Sequence, residues 1–366
     1  MKLTIGLKLK PTPEQAQALA ETLSRANAAA NECSRVAWES RTFGQFKLHK
    51  LAYTLIREKY GLSAQVAVRV IAKVADAYKL DKRRMRVFRA DGSIAYDDRI
   101  LRYGTESVSI WTLAGRQKIL FVGGEHQRRL LHSRQGESDL VYRKGKWYLF
   151  ATVNVVEPPT DDDPDGMLGV DFGIARIAAD SEGRSYSGAH LRNLRKRHRR
   201  LRAKLQSKGT KSAKRLLKKR SLKERRFATH TNHCISKQIV QTAQRTKQAI
   251  VLEDLKDIRL RARVSRKVRT ELHNWAFAQL RAMIEYKAKL AGVTVLTVNP
   301  KYTSQTCSQC QHRSKSNRKS QSRFQCRQCG FSCNADINAA RNIANRAAVN
   351  QPNAVYSLRR DEPQAA

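Results

Sequence analysis

Four cysteines, Cys307, Cys310, Cys326 and Cys329, stand as two C-x2-C pairs with fifteen residues between the pairs. A C-x2-C turn puts two sulfurs on one side of a tight loop, and two such knuckles complete a tetrahedron around Zn²⁺. All four positions are then protein thiolates and none stays open for water, so the site is structural and not catalytic. Cys333 is a fifth thiol outside this spacing, either a spare cysteine or a substitute ligand. Three acids fall at the ends of expected elements: Asp171 in "GVDFGIARIAA", Glu253 in "IVLEDL" and Asp336 in "CNADINAARNIANR". Convergent carboxylates suit Mg²⁺, which prefers carboxylate oxygens and retained waters. Two such ions about 3.5–4 Å apart activate a water and stabilise the leaving oxygen in phosphodiester cleavage. Each acid also has a plain reading. Asp171 can cap a hairpin turn, Glu253 can pair with a lysine, and Asp336 can cap its helix at the positive end of the helix dipole.

The partner class follows from charge. Lysine and arginine number 72 against 31 acids in 366 residues, a formal net charge of +41. Such a charge repels itself in the compact state and calls for a polyanion. Nucleic acid is the first choice, because its affinity comes largely from counterion release at phosphates; an anionic membrane is the rival. There is no run of eighteen apolar residues, and "MKLTIGLKLKP" is broken by Lys8 and Lys10, too short for a signal-peptide core. A cytoplasmic, nucleoid-associated protein is expected. The cysteines agree, since a tight cluster in a large basic chain reads as metal binding, with Cys33 and Cys234 standing alone.

The elements that must position these groups read as follows. "KLTIGLKLK" alternates like a strand, and "PTPEQ" opens a helix with Thr12 as N-cap, Pro13 at the first position and Gln15 closing a capping box. Helical pattern runs to about residue 85, broken near Gly44 and Gly61; strands with turn signals ("ADGS", "VGGE") follow to 158, including a hairpin turning at Lys144-Gly145. "EPPTDDDPDG" (157–166) reads as a solvated linker, its acids set among prolines with no shaped cavity. A hairpin around Phe172-Gly173 comes next. Residues 191–226 then hold 18 Lys/Arg and one acid, Glu224, with Leu191, Leu194, Leu201 and Leu205 at helical spacing. This predicts two basic helices, broken at "SKGTKS", sharing an apolar seam. A helix over about 228–246, a buried strand ending in Glu253, a helix over about 272–291 and the strand "VTVLTVNP" complete an α/β core with insertions.

In this order, "GVDFGIARIAA", "IVLEDL" and the C-x2-C…C-x2-C-G…"NADINAARNIA" block resemble the transposon-encoded TnpB nucleases, compact relatives of type V CRISPR effector nucleases. "DFGI", "LEDL" and "ADINAARNI" look like the three RuvC motifs, with the ribbon inserted before the third. The resemblance is strong over roughly 167–346 and architectural over 1–158. It departs at Gln311, where the family usually has glycine after the first knuckle. The implied architecture is multidomain α/β plus β: an RNase H-like (RuvC) core with an inserted zinc ribbon, and an N-terminal β-barrel-like wedge domain interrupted by a helical domain. Its parts are 1–10 with 86–158 (wedge), 11–85 (helical recognition), 167–300 with 331–347 (RuvC), 301–330 (ribbon) and a flexible tail over 348–366.

By the same resemblance, Asp171, Glu253 and Asp336 are catalytic Mg²⁺ ligands and the four spaced cysteines hold a structural Zn²⁺. The implied activity is RNA-guided DNA cleavage. Guide RNA from the transposon end pairs with one strand of double-stranded target DNA, while the protein reads a short adjacent motif and holds backbone and shape. The expected grips on nucleic acid are Arg195, Lys196, Arg199, Arg200, Lys204, Lys211, Lys214 and Lys218, with Arg261 and Arg263 in "KDIRLRARVSRKVR". A guided DNA-binding repressor without cleavage and a transposase proper are the alternatives; an intact acid triad speaks against the first, and the ribbon's place between second and third motifs against the second.

Overall fold

The computed structural model describes residues 1–161, 163–173, 176–220, 222–255 and 277–350. Arg261, Arg263 and the rest of the basic stretch 256–269 lie outside the described residues, as does the tail beyond 350. The chain divides into two compact units, Met1–Val156 and Glu157–Ala366.

The first unit begins with strand β1 (Lys2–Lys10), whose alternate residues Ile5, Leu7 and Leu9 are buried. Helices α1 (Pro13–Glu39), α2 (Gln45–Tyr60) and α3 (Ala64–Leu80) follow. The Thr12 hydroxyl accepts from the Gln15 amide while the Gln15 side chain accepts from the Thr12 amide, so two otherwise orphan donors are satisfied at the start of α1. Gly61 ends α2 at a left-handed φ of 61°. One polar stripe of α1 straps the passage back to the sheet. Asn27 donates to the Gly92 carbonyl, Asn31 exchanges both bonds with Phe88, and the Ser34 hydroxyl donates to the Arg86 carbonyl. Strands β2 (Ile94–Tyr96), β3 (Leu101–Tyr103), β4 (Ser107–Thr112), β5 (Gly115–Val122), β6 (Arg134–Arg143) and β7 (Lys146–Asn154) join β1 in a seven-stranded antiparallel sheet, order β2-β6-β7-β1-β5-β4-β3. Its two edges approach each other: the Tyr103 hydroxyl on β3 donates to Ser138 on β6, and the Tyr96 hydroxyl on β2 to the Trp111 carbonyl on β4. The sheet is therefore nearly closed into a barrel, which leaves little free edge.

One detail differs from the sequence expectation and another agrees with it. "VGGE" is not a turn but the start of a short helix, α4 (Glu125–Leu131), whose first amide, on Gly124, donates to the Gln127 side chain. Lys144 and Gly145 do turn the β6–β7 hairpin, both at positive φ (53° and 73°), the left-handed pair that matches strand twist.

The second unit is built on β8 (Gly166–Asp171), β9 (Arg176–Asp180), β10 (Ser185–Ser187), β11 (Gln248–Glu253) and β12 (Val295–Val298), in the order β10-β9-β8-β11-β12. The first three run antiparallel as a meander, whereas β11 is parallel to both β8 and β12. Helices α5 (Ala189–Lys208), α6 (Lys211–Arg220) and α7 (Lys223–Arg245) lie between β10 and β11 in sequence, and α8 (Phe277–Ala291) precedes β12. The third of the expected helices thus begins at Lys223, ahead of the apolar pattern that marked it at 228. β8 and β11 are buried on both faces, which is why they read as continuous apolar runs. Leu168, Val170, Ile250 and Leu252 pack with Ile239 of α7 and Ile284 of α8; Met167, Ala249 and Val251 pack with Ile343 and Ala347 of the last helix, α9 (Ala335–Asn350). Successive side chains of a strand point to opposite faces, so one strand serves both layers. The α9 backbone comes so close to β8 that a Cβ on Gly169 would stand 2.0 Å from the Ala340 carbonyl oxygen.

Candidate active site and cysteine centre

Asp171 is the last residue of β8 and Glu253 the last of β11. Because these strands are parallel neighbours, their C-terminal ends carry both acids to one edge of the sheet. Asp336 enters from the first turn of α9, which lies across β8. Asp171 feels the charges of the other two acids. Asp171 is pushed up to about 8, first by burial and then by the charges of Glu253 and Asp336, against which Arg318 pulls it down. Burial raises Glu253, opposed by the Thr303 hydroxyl, which donates to its Oε1 at 2.6 Å. Burial raises Asp336 too, opposed by Arg176 at 3.5 Å and Arg318 at 3.8 Å. Glu253 is buried and Asp171 and Asp336 are half-buried; Arg176 and Arg318 pair with Asp336 while the charge of Arg346 acts on Glu253, and carboxylate oxygens are the donor type that a hard divalent cation prefers.

The cysteine centre is tighter. The Sγ atoms of Cys307, Cys310, Cys326 and Cys329 lie within 4.8 Å of one another. Cys307 reaches Cys329 at 3.7 Å and Cys310 reaches Cys326 at 3.5 Å, so each close pair joins one knuckle to the other. Four thiolates about 2.3 Å from a central ion would stand about 3.8 Å apart, and the observed separations fit that. Gln311 takes the left-handed conformation at φ 61°, as Gly330 does at 74° after the second knuckle. The departure from glycine therefore leaves the turn in place: the Gln311 amide donates to the Cys307 carbonyl at 3.0 Å. A hairpin, β13 (Arg323–Gln325) with β14 (Ser332–Asn334), carries the second knuckle, and Asn317, fully buried, ties the loop by donating to the Gln305 and His312 carbonyls. Cys333 sits on β14 outside the cluster, half-buried, its thiol pushed up by burial.

The basic hairpin forms as two helices, but its seam is open. Leu191 is buried, whereas Leu194, Leu201 and Leu205 are half-exposed. Leu201, Leu205, Leu217 and Leu222, with His198 and Arg202, line a cavity of about 370 Å³ between α5 and α6. Lys196, Arg199, Arg200, Lys204, Lys211, Lys214 and Lys218 are exposed. Arg195 differs: it is half-buried and pairs with Glu224, the lone acid of the region, at 3.3 Å.

Sequence reasoning missed Arg176, Arg318 and Thr303, which touch the acids, and Asn338 and Asn342 of α9. Asn338 and Asn342, spaced i, i+4 among the four asparagines of α9, were a readable sign of a polar face; the arginines were lost among 72 basic residues.

Two family models match the chain: "Probable transposase" (OrfB_IS605) over residues 150–261 and "Cas12f1-like, TNB domain" over 277–343. A Cas12f1 named as a CRISPR-associated endodeoxyribonuclease, from Sulfoacidibacillus thermotolerans, is 36% identical over 221 residues, 55% of this chain and 50% of its own length. TnpB-like protein MJ0751 of Methanocaldococcus jannaschii is 34% identical over 152 residues, 41% of this chain and 54% of its own. The chain thus spans about half the length of the curated relatives it matches. Among solved structures, a Cas12f1–sgRNA–target DNA complex shares the fold, with a TM-score of 0.60 at 18% identity over 92% of this chain and 84% of that one. The matched stretches thus carry the candidate site residues, since one family model spans Asp171 and Glu253 and the other spans the four cysteines and Asp336, and the chain is similar there to relatives named both TnpB-like and Cas12f1.

Proposed function

We propose that the chain is an RNA-guided DNA endonuclease encoded by a transposable element, hydrolysing phosphodiesters at a single RuvC-type centre. The observation that carries this is the convergence of Asp171, Glu253 and Asp336 from two parallel strand ends and a helix start. The meander followed by two parallel strands, β10-β9-β8-β11-β12, supports an RNase H-like core. In this reading the three acids hold Mg²⁺, which supplies an activated water and neutralises charge at the scissile phosphate. The chain's own part is to orient the carboxylates: β8 and β11 fix two of them, Thr303 turns one, and Arg176 and Arg318 balance the third. The four cysteines hold Zn²⁺ as a closed structural site. The exposed cations of α5 and α6 grip RNA or heteroduplex phosphates, and guide RNA from the transposon end pairs with double-stranded target DNA. The nearly closed sheet of the first unit is the wedge, and α1–α3 are the recognition helices.

The test uses protein co-expressed with its own flanking DNA. Co-purified RNA is sequenced, and cleavage of a randomised-flank plasmid library is assayed with Mg²⁺ beside Asp171→Ala. A discrete RNA, with cutting that vanishes in the variant, is the expected outcome. RNA without cutting by either protein makes the chain a guided binder, and no specific RNA defeats the proposal at its centre.

A further inference from the structure

The turn between β12 and the first knuckle is built with more care than a connector needs. Tyr302 holds a left-handed φ of 70°, costly for a bulky residue. Its carbonyl is saturated in compensation, accepting from the Gln305 amide (3.0 Å), the Thr306 amide (3.1 Å) and the Thr306 hydroxyl (3.0 Å). Its ring lies under the Arg313 guanidinium of the ribbon at 3.7 Å. What this strained turn presents is Thr303, which is buried and aims its hydroxyl at Glu253.

A hydroxyl has one proton to give. Two acceptors are in reach, Glu253 Oε1 at 2.6 Å and the Pro300 carbonyl at 3.1 Å, and the shorter contact has the length of a charge-assisted O–H···O⁻ bond. We infer that Thr303 is a positioning residue for Glu253: its hydroxyl fixes one carboxylate oxygen and so turns the other toward the cation. Among the described residues the second oxygen, Oε2, takes no hydrogen bond. The inference rests on the reading of Glu253 as a metal ligand.

The same network reaches the cysteine centre. The Asn342 side-chain amide donates to the Thr303 carbonyl (2.9 Å) and the Thr306 carbonyl (2.7 Å). Asn338 donates to the Thr306 carbonyl at 2.8 Å, and its own oxygen accepts from the Ser308 amide inside the first knuckle at 3.0 Å. Both asparagines lie on α9, the helix that begins with Asp336. One helix therefore sets Asp336 directly and Glu253 through Thr303, with the ribbon knuckle as its far anchor. Groups that orient a ligating carboxylate change metal affinity by about 10–100-fold when removed.

The test is Mn²⁺ binding to the full chain with zinc retained, read by electron paramagnetic resonance, in wild type, Thr303→Val, Thr303→Ser and Asp171→Asn. Thr303→Val keeps the volume and loses the hydroxyl. The expected result is Mn²⁺ affinity at least about 10-fold weaker in Thr303→Val, restored in Thr303→Ser, at unchanged zinc content. Wild-type affinity in Thr303→Val, or equal weakness in Thr303→Ser, overturns the role of the hydroxyl while leaving the metal reading intact. Wild-type Mn²⁺ binding that Asp171→Asn does not reduce overturns the metal reading and this inference with it. Should Thr303→Val lose zinc, Asn342→Leu is the second variant, since it removes the donors that hold the Thr303 and Thr306 carbonyls. It is expected to weaken Mn²⁺ in the same direction, and unchanged affinity counts against the network.

Discussion

At the scale of single residues, the acids are held under tension. Asp171 stands at about 8 in the fold against an ordinary value of 3.8, because burial and two neighbouring carboxylates disfavour its charge. A raised carboxyl keeps a proton that the unfolded chain releases. Its contribution to stability is full below the unfolded value and is lost as pH rises through the folded one. With zinc kept and magnesium withheld, the wild-type melting temperature should therefore fall more steeply between about pH 4 and pH 8 than that of Asp171→Asn, which has no such proton to lose. Parallel falls in the two proteins would mean that the three carboxylates do not repel one another in solution. Bound magnesium should flatten the wild-type curve by answering that repulsion. Arg176 and Arg318 answer it in part by pairing with Asp336, a role that no spacing in the chain announces.

At the scale of elements, the basic hairpin shows how far a charge count carries. The helices α5 and α6 were legible from their break at "SKGTKS" and their leucine spacing. Their seam was not, since periodicity says which side chains share a face but not whether two faces close on each other. Here they stay apart around a cavity lined by leucines. Nor could the sequence tell a paired cation from an exposed one, and Arg195, engaged with Glu224, shows the difference. If the hairpin grips phosphates, replacing Lys196, Arg199 and Arg200 with glutamine should weaken RNA binding. It should also flatten the dependence of log affinity on log salt by about 0.7–0.9 for each phosphate that is no longer neutralised. A hairpin whose charges are merely solvated would leave that slope where it was.

At the scale of the molecule, the second unit depends on one close approach. α9 brings Asp336 to Asp171 because it lies directly on β8, and it can do so because Gly169 has no side chain. Gly169→Ala puts a methyl group into the backbone of Ala340, so the helix must shift. We expect a loss of about 1–3 kcal/mol or more in urea unfolding of this unit, together with loss of Asp171-dependent Mn²⁺ binding, because the displaced helix carries Asp336 with it. An unfolding midpoint equal to that of wild type would show that α9 does not rest on Gly169 in solution. The first unit is held differently, by a sheet whose edges nearly meet and a helix whose Asn27, Asn31 and Ser34 strap the returning chain.

The local and the chemical were written into the chain. Cysteine spacing names a tetrahedral thiolate site because the C-x2-C turn is a local geometry. Thr12, Pro13 and Gln15 name a helix start because a cap is satisfied within four residues. The apolar runs ending in Asp171 and Glu253 name buried strands because burial on both faces demands unbroken apolar residues. That the three acids share a site was expected only through the family resemblance, and what the tertiary structure alone decided is how these distant groups meet and what else joins them. The parallel pairing of β8 with β11 put two acids on one edge, the close approach at Gly169 delivered the third, and the strained turn at Tyr302 brought Thr303 onto Glu253 across 50 residues of chain. Those encounters depend on packing between elements, and packing leaves no period or spacing in a sequence for a reader to find.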